Sequence, residues 1–450
     1  MTRRLAGSFA RPLLALLALV LFVGACGDTQ TRGVRVVLVS LDTLRNDRFD
    51  ARRMPRLHAA AEEGLVYERF HATSSVTLPS HITMFTGLHP WEHGVLRNGV
   101  VASEDLSTAA ERLVDAGFDT AAVVASFPLH RTFRCDQGFA RYLDEFQQAS
   151  DKDTWNGQEV PGALFSSRAD TIVEQAFTLL DGMQGDKQFL FAHFFDPHAP
   201  YGDSVEGGPD GPRSMELSKL LTAALNQTPK LPTLISRAEA LYDLDVAYLD
   251  EQLGRLLERL AVDSERFETH VIITADHGES FGEDGSLGHG KRLTTGQVHV
   301  PCVVLSPRVS AGRRDGLAGS VDVLPTLLAM AGLDADNALP GRDLTGPPVT
   351  DAKAVGMRSV FEGHQRDIRT DGRSLPVDDL RFYVAWDDGL AAGNAERVDA
   401  LAGTLDDALA TDLRRLFGGF ESEVRERMRD MVESADPETR EALKALGYLR

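Results

Sequence analysis

Five short runs rich in Val, Ile, Leu, Phe and Ala, separated by helix-length amphipathic segments, constrain this chain more than any other feature. The runs are Val34 to Leu41, Asp119 to Ser126, Gln188 to Phe195, His270 to Ala275 and Val300 to Ser306. Leu57 to Glu63, Ser107 to Ala116, Ala169 to Met183 and Ala238 to Leu260 carry helical periodicity between them. Continuously apolar strands are buried on both faces. Alternation with helices therefore predicts an α/β fold with a mostly parallel central sheet and helices on both faces. In such sheets, chemistry gathers beyond the carboxyl ends of the strands.

Three strand ends carry the same kind of residue. Asp42-Thr43-Leu44-Arg45 follows the first run, Asp196-Pro197-His198 the third, and Asp276-His277-Gly278-Glu279 the fourth, with His289-Gly290-Lys291 a little further on. Carboxylates neutralise a cation and imidazoles suit borderline metals, so Asp and His converging from several strands is the donor set of a divalent-metal site. A second constellation runs from Thr73 to His81. Pro79 and the residues after it read as a helix start, which places the Thr77 hydroxyl just before a helix N-terminus, where negative charge is favoured. Thr77 then reads either as a metal-activated nucleophile or as an N-cap hydroxyl, and spacing alone does not separate the two.

The chain ends suggest further units. Arg3, Arg4 and Arg11 precede the apolar run Leu13 to Val23, and Val23-Gly24-Ala25-Cys26 resembles a bacterial lipobox. Residues 1–26 are thus expected to be a lipoprotein signal peptide, with Cys26 lipidated and the mature chain anchored on the periplasmic or cell-surface side of a bacterial membrane. Cys135 and Cys302 lie in loop-like and strand-like surroundings and read as core residues without a disulfide. Gly202 to Pro232 reads as a surface excursion, either a solvated linker or a lid. Residues 346–450 read as a C-terminal subdomain, with short strands at Ala354 to Glu362 and Leu380 to Trp386 and a helical tail over Leu405 to Gly447. The 47 basic and 67 acidic residues give a net charge of −20, which excludes a cationic nucleic-acid-coating face. The acid concentrates between residues 136 and 290, so any anionic substrate must be a small one held by local cationic groups.

Together these motifs resemble the sulfatase family of the alkaline phosphatase superfamily. The resemblance rests on Leu38 to Asp47, Thr77-Leu78-Pro79-Ser80-His81, His93-Gly94-Val95, Phe195 to Tyr201, Thr274 to Glu279 and Val321 to Leu328, in order over residues 34–345. It implies a catalytic domain over that span and a metal held by Asp42, Asp276 and His277, with Thr77 completing the shell as nucleophile. It also implies that His198 and His289, with Lys291, contact the substrate anion or the leaving oxygen, and that Asp196, His198 and His289 form a second ion set. Asn98 matches an oxyanion-contacting asparagine of threonine phosphodiesterases, and equally a turn residue. Two motifs depart from the pattern: in the first, Thr77 and His81 replace the family's Cys/Ser and Arg, and in the second, Thr43 replaces a second Asp. The first departure removes the formylglycine route. Zn or Mn is favoured by the imidazole, with Ca or Mg as further options. The implied activity is metal-dependent hydrolysis of sulfate or phosphate esters, on a small anionic ester that includes sulfated or phosphorylated glycans or lipids. The alternatives are phosphoryl transfer to envelope lipids or glycans, and a catalytically silent binding lipoprotein. Nothing in the sequence fixes the oligomeric state.

Overall fold

The computed structural model describes residues 32–347, apart from 96, 147–153, 156–157, 160–165, 204–213, 284, 291–293 and 335, and a set of strands between 356 and 393. Eight strands form the central sheet: β1 (Gly33–Leu41), β2 (Leu65–His71), β3 (Asp119–Val123), β4 (Arg141–Leu143), β5 (Lys187–Phe194), β6 (Phe267–Thr274), β7 (Cys302–Leu305) and β8 (Gly312–Gly319). Their spatial order is β8-β2-β7-β6-β1-β5-β3-β4. β1 lies at the middle, parallel to β5 on one side and β6 on the other. Only β7 runs antiparallel to its neighbours, β2 and β6. The mostly parallel sheet expected from the apolar runs is what forms.

The core explains the pattern. Val36, Val37, Leu38 and Val39 of β1, Phe189, Leu190 and Phe191 of β5 and Ile272 of β6 are fully buried. Helices cover the sheet: α1 (Pro55–Ala61), α2 (Thr77–Thr86), α3 (Ala109–Asp115), α4 (Ala169–Gly182), α5 (Leu217–Leu225), α6 (Leu231–Val262) and α7 (Val323–Met330). α3 begins with a capping box, Thr108 accepting from the Glu111 N–H while the Glu111 carboxylate accepts from the Thr108 N–H.

Several boundaries differ from the sequence reading for identifiable reasons. β8 reads Gly-Arg-Arg-Asp-Gly-Leu-Ala-Gly, a charged sheet-edge strand with no apolar signature. The supposed excursion at 202–232 contains α5, whose Leu220, Ala223 and Ala224 are buried, and the first two residues of α6. Cys135 and Cys302 are free and buried, as expected. Strands at Gly356–Glu362, Leu380–Trp386 and Gly389–Gly393 pair antiparallel, matching the two expected there. The anticipated signal peptide with Cys26, and the tail at 405–447, lie outside the described residues.

Candidate metal and nucleophile site

Beyond the carboxyl end of β1 the chain turns sharply at Asp42-Thr43, and both residues are fully buried. Beyond β6 lie Asp276 and His277, also fully buried. The ligand atoms of Asp42, Asp276 and His277 all lie within 4.8 Å of one another. The neighbouring parallel registers of β1 and β6 bring them together, pairing Ser40 with Thr274 so that the two chains leave the sheet side by side.

The donor chemistry at this cluster fits a cation. Both Asp42 carboxylate oxygens and Asp276 Oδ2 are buried without a hydrogen-bond partner. Nδ1–H of His277 donates to the Gly278 carbonyl at 3.0 Å, so in the neutral ring it is Nε2 that carries the lone pair. That Nε2 points into the cluster, 3.3 Å from Asp276 Oδ2, 3.7 Å from Asp42 Oδ1 and 3.3 Å from Thr77 Oγ1. Four acceptor atoms facing one another in a dry pocket repel unless a positive charge sits among them. Burial, reinforced by the charge of Asp276, pushes the Asp42 carboxyl well above the ordinary carboxylate range. Burial acts the same way on Asp276, but its contacts with His277, His81 and His193 more than offset it and hold Asp276 below that range.

Thr77 is the first residue of α2, one position inside the helix start rather than before it, and Val76 occupies the cap position. Three side chains fasten this first turn. Ser80 donates to the Asp276 carbonyl at 2.6 Å, tying α2 to the metal cluster. His81 donates from Nδ1 to the Thr77 carbonyl and accepts at Nε2 from Ser40, both at 2.8 Å, which ties α2 to β1. Asn98 accepts the Leu78 N–H at 2.8 Å, capping α2 beside Thr77. Burial lowers His81 to about 3, so it is a neutral brace, unlike the arginine it replaces.

A second group sits on one flank of the cluster. His289 places Nδ1 3.0 Å from Glu279 Oε1, while its ring lies 4.4 Å from that of His277 and 5.0 Å from that of His198. Glu279 is fully buried and accepts a further hydrogen bond from Tyr201 at 2.8 Å. Burial would raise its carboxyl, but the facing His289 outweighs this and Glu279 sits low, ionised. An ionised carboxylate only accepts, so His289 carries its proton on Nδ1 and presents Nε2 away from Glu279. Burial, with His289 nearby, lowers His198 to about 3. Its ring stacks on Phe195, and its Nδ1 donates to the Ala199 carbonyl.

Asp196 does not join His198 and His289 as a third ligand. Its Oδ2 accepts the Ala169 N–H at 2.9 Å, at the start of α4. Burial, then the neighbouring Asp245, pushes it up to about 7. Among the described residues, Asp42, Asp276 and His277 form the single three-ligand group. Lys291 lies outside the described residues. The sequence reading missed two residues. His193 on β5 accepts the Ala125 N–H at Nδ1 and so carries its proton on Nε2, which lies 3.4 Å from Asp42 Oδ2 without making a hydrogen bond to it. Burial lowers it to about 4. His193 occupies an interior strand position, where a histidine reads as core filling. Glu279, the other, stood inside a quoted motif, and a fully buried acid needs a partner.

The family model described as Sulfatase matches residues 35–333. An uncharacterized sulfatase, YidJ, of Escherichia coli (strain K12) is 24% identical over 322 residues, covering 64% of this chain and 65% of that protein, a little under two thirds of its length. Among solved structures, one described in complex with its substrate D-glucosamine-2-N,6-O-disulfate superposes with a TM-score of 0.58 at 16% identity, covering 89% of this chain and 98% of that one. A phosphonate monoester hydrolase of Agrobacterium radiobacter gives a TM-score of 0.56 at 19% identity, covering 89% and 96%.

Proposed function

The chain belongs to the sulfatase family, and from that premise we propose that it hydrolyses sulfate or phosphate esters with Thr77 as the nucleophile. One observation carries the reading: Thr77 Oγ1 stands 3.3 Å from His277 Nε2, the nitrogen that shares the buried cluster with the unpartnered oxygens of Asp42 and Asp276. A divalent ion held by Asp42, Asp276 and His277 would supply the positive charge that favours the Thr77 alkoxide and neutralises the ester's anionic oxygens. The imidazole donor favours Zn or Mn over Ca or Mg.

The residues divide the remaining work. The hydrogen bonds from Ser80, from His81 and to Asn98 hold the first turn of α2 so that the Thr77 oxygen faces the incoming phosphorus or sulfur. As that bond forms, the bond to the leaving oxygen breaks on the opposite side, and water later releases the anion from Thr77. His289, oriented by Glu279, and His198, whose rings lie 5.0 Å apart, would contact the leaving oxygen in this reading.

Thr77 has no thiol or primary hydroxyl to become an aldehyde, so phosphodiester, phosphonate monoester or phosphate monoester cleavage should exceed sulfate cleavage. A panel of aryl sulfate, phosphate monoester, phosphodiester and phosphonate esters checks this. A sulfatase rate above all the others, lost in Thr77→Ala, would reverse the ordering. Sulfated or phosphorylated glycans are the proposed natural class, a reading supported by the disulfated glucosamine bound to one structural neighbour. Retention of Asp42, Thr77, His198, Asp276, His277 and His289 together speaks against a silent binding protein.

The reading includes an acyl anchor at Cys26 on the periplasmic or cell-surface side, supported by the apolar run Leu13 to Val23 ahead of it. No helix among the described residues is long and apolar enough to cross a membrane. Radiolabelled palmitate should enter the full-length protein expressed in a bacterium and be absent from Cys26→Ala; equal labelling of both rules the anchor out.

A further inference from the structure

Thr43, directly after the first carboxylate of the site, has φ 57°, in the left-handed region. A β-branched residue pays steric strain there, and such strain persists only where the surroundings over-determine it. The surroundings here are specific. The Tyr242 hydroxyl donates to the Thr43 carbonyl at 2.8 Å and accepts the Arg45 N–H at 3.1 Å, so one side-chain oxygen bridges both ends of the turn. The Thr43 N–H points the other way, to Asp276 Oδ1 at 3.2 Å. This conformation keeps the turn off the Asp42 oxygens, which are left without a partner, while engaging Oδ1 of Asp276.

Tyr242 is itself well anchored. It is fully buried on the 32-residue helix α6, with its ring 5.2 Å from that of Phe281 and 6.2 Å from that of Tyr201. The same helix grips the chain after the turn: Glu239 and Asp243 pair with Arg48, Asp243 with Arg53, and Asp250 accepts the Arg56 and Leu57 N–H groups that open α1. The Arg45 side chain continues the clamp to the Glu279 carbonyl and to Glu283. Ion pairs hold the flanks; within the turn itself the Thr43 N–H is held by Asp276, and the Tyr242 hydroxyl is the contact from outside the metal cluster that opposes relaxation of Thr43.

We propose that Tyr242 is a positioning residue for the metal site, its hydroxyl holding Thr43 in the left-handed conformation that sets Asp42 against Asp276. The inference rests on the metal-site reading above and extends it to a residue on a different element, which touches neither substrate nor ion.

The test is a double-mutant cycle read by Mn2+ affinity, measured by calorimetry on chelator-stripped full-length protein. Tyr242→Phe keeps the ring and its packing and removes only the hydroxyl. It should weaken Mn2+ binding about tenfold, the scale typical of losing an outer-shell partner. Thr43→Gly supplies a residue that adopts positive φ without strain. In that background the same Tyr242→Phe change should cost under about threefold, because nothing is left to hold. A merely structural role would lower the melting temperature equally in both backgrounds and leave Mn2+ affinity alone. Unchanged affinity in Tyr242→Phe, or an equal loss in both backgrounds, overturns the proposal. If the wild type binds no Mn2+, the metal-site reading falls as well, which separates the two failures. If Tyr242→Phe alone does not fold, Thr43→Gly/Tyr242→Phe should; failure of the double variant to fold also overturns it.

Discussion

Replacing Thr77 with alanine should lower ester cleavage by at least about a thousandfold, because a covalent nucleophile has no substitute in its own step. The same change should leave the fold nearly intact. Thr77 Oγ1 makes one side-chain contact here, 3.3 Å from His277, and the first turn of α2 is held by Ser80, His81 and Asn98. Alanine is well tolerated inside a helix, so the stability change should stay within about 1 kcal/mol. Thr77→Ser keeps the oxygen and loses only a methyl, and it should retain activity within about a hundredfold of wild type. The measurement is kcat/KM on the best ester of the panel, with Mn2+ affinity and melting temperature beside it. Activity of Thr77→Ala within tenfold of wild type would remove Thr77 from the chemistry. It would leave Asp42, Asp276 and His277 as a metal site acting on water or on another nucleophile.

How far the sequence revealed this site depends on what kind of signal each residue carries. Asp42, Asp276 and His277 were legible because each follows a run of apolar residues that can only be a buried strand, and strand ends in a parallel sheet converge. The same logic misread Asp196. It also follows a strand, β5, but its carboxylate turns to the Ala169 N–H, a choice made by helix α4 that no local pattern encodes. The reversed direction of β7 was equally hidden, because an apolar run has no polarity. β8 escaped notice because its charges suit an exposed edge. His193, Glu279 and Tyr242 share a different reason. Each acts on the site through the partner its side chain touches: a buried histidine or tyrosine reads alone as ordinary core, and the burial that marks Glu279 is not visible in the sequence. Their roles emerge only when hydrogen-bond partners are counted.

Removing the ion should expose a pH dependence whose sign follows from Asp42. In the metal-free fold, burial and the charge of Asp276 raise the Asp42 carboxyl well above its ordinary value, about 3.9 in an unfolded chain. The folded state then holds a proton the unfolded state has lost. Stability from this group is full below the unfolded value and is lost as pH rises through the folded one. A divalent ion replaces that proton, so the stabilisation it confers should grow with pH over the same window. At a hundred times its Kd, a bound ion contributes about 2.7 kcal/mol, or roughly 3–4 °C in melting temperature for a chain of this size. The buried histidines run the other way. His81, lowered to about 3, and His193, lowered to about 4, destabilise the fold as pH falls below about 6.5, where unfolded histidine gains a proton. The raw melting profile mixes both trends, and Asp42→Asn separates them. That variant keeps the histidines and removes the carboxylate repulsion. At pH 8, without ions, it should melt roughly 1–2 °C above wild type, about 1 kcal/mol. The difference should shrink toward pH 4, and the ion-induced rise should vanish at every pH. An ion-induced rise of equal size at pH 5 and pH 8, or one that survives in Asp42→Asn, would show that the cation is held elsewhere. With metal bound, the unpartnered oxygens of Asp42 are an asset for binding; without it, they lower the stability of the fold.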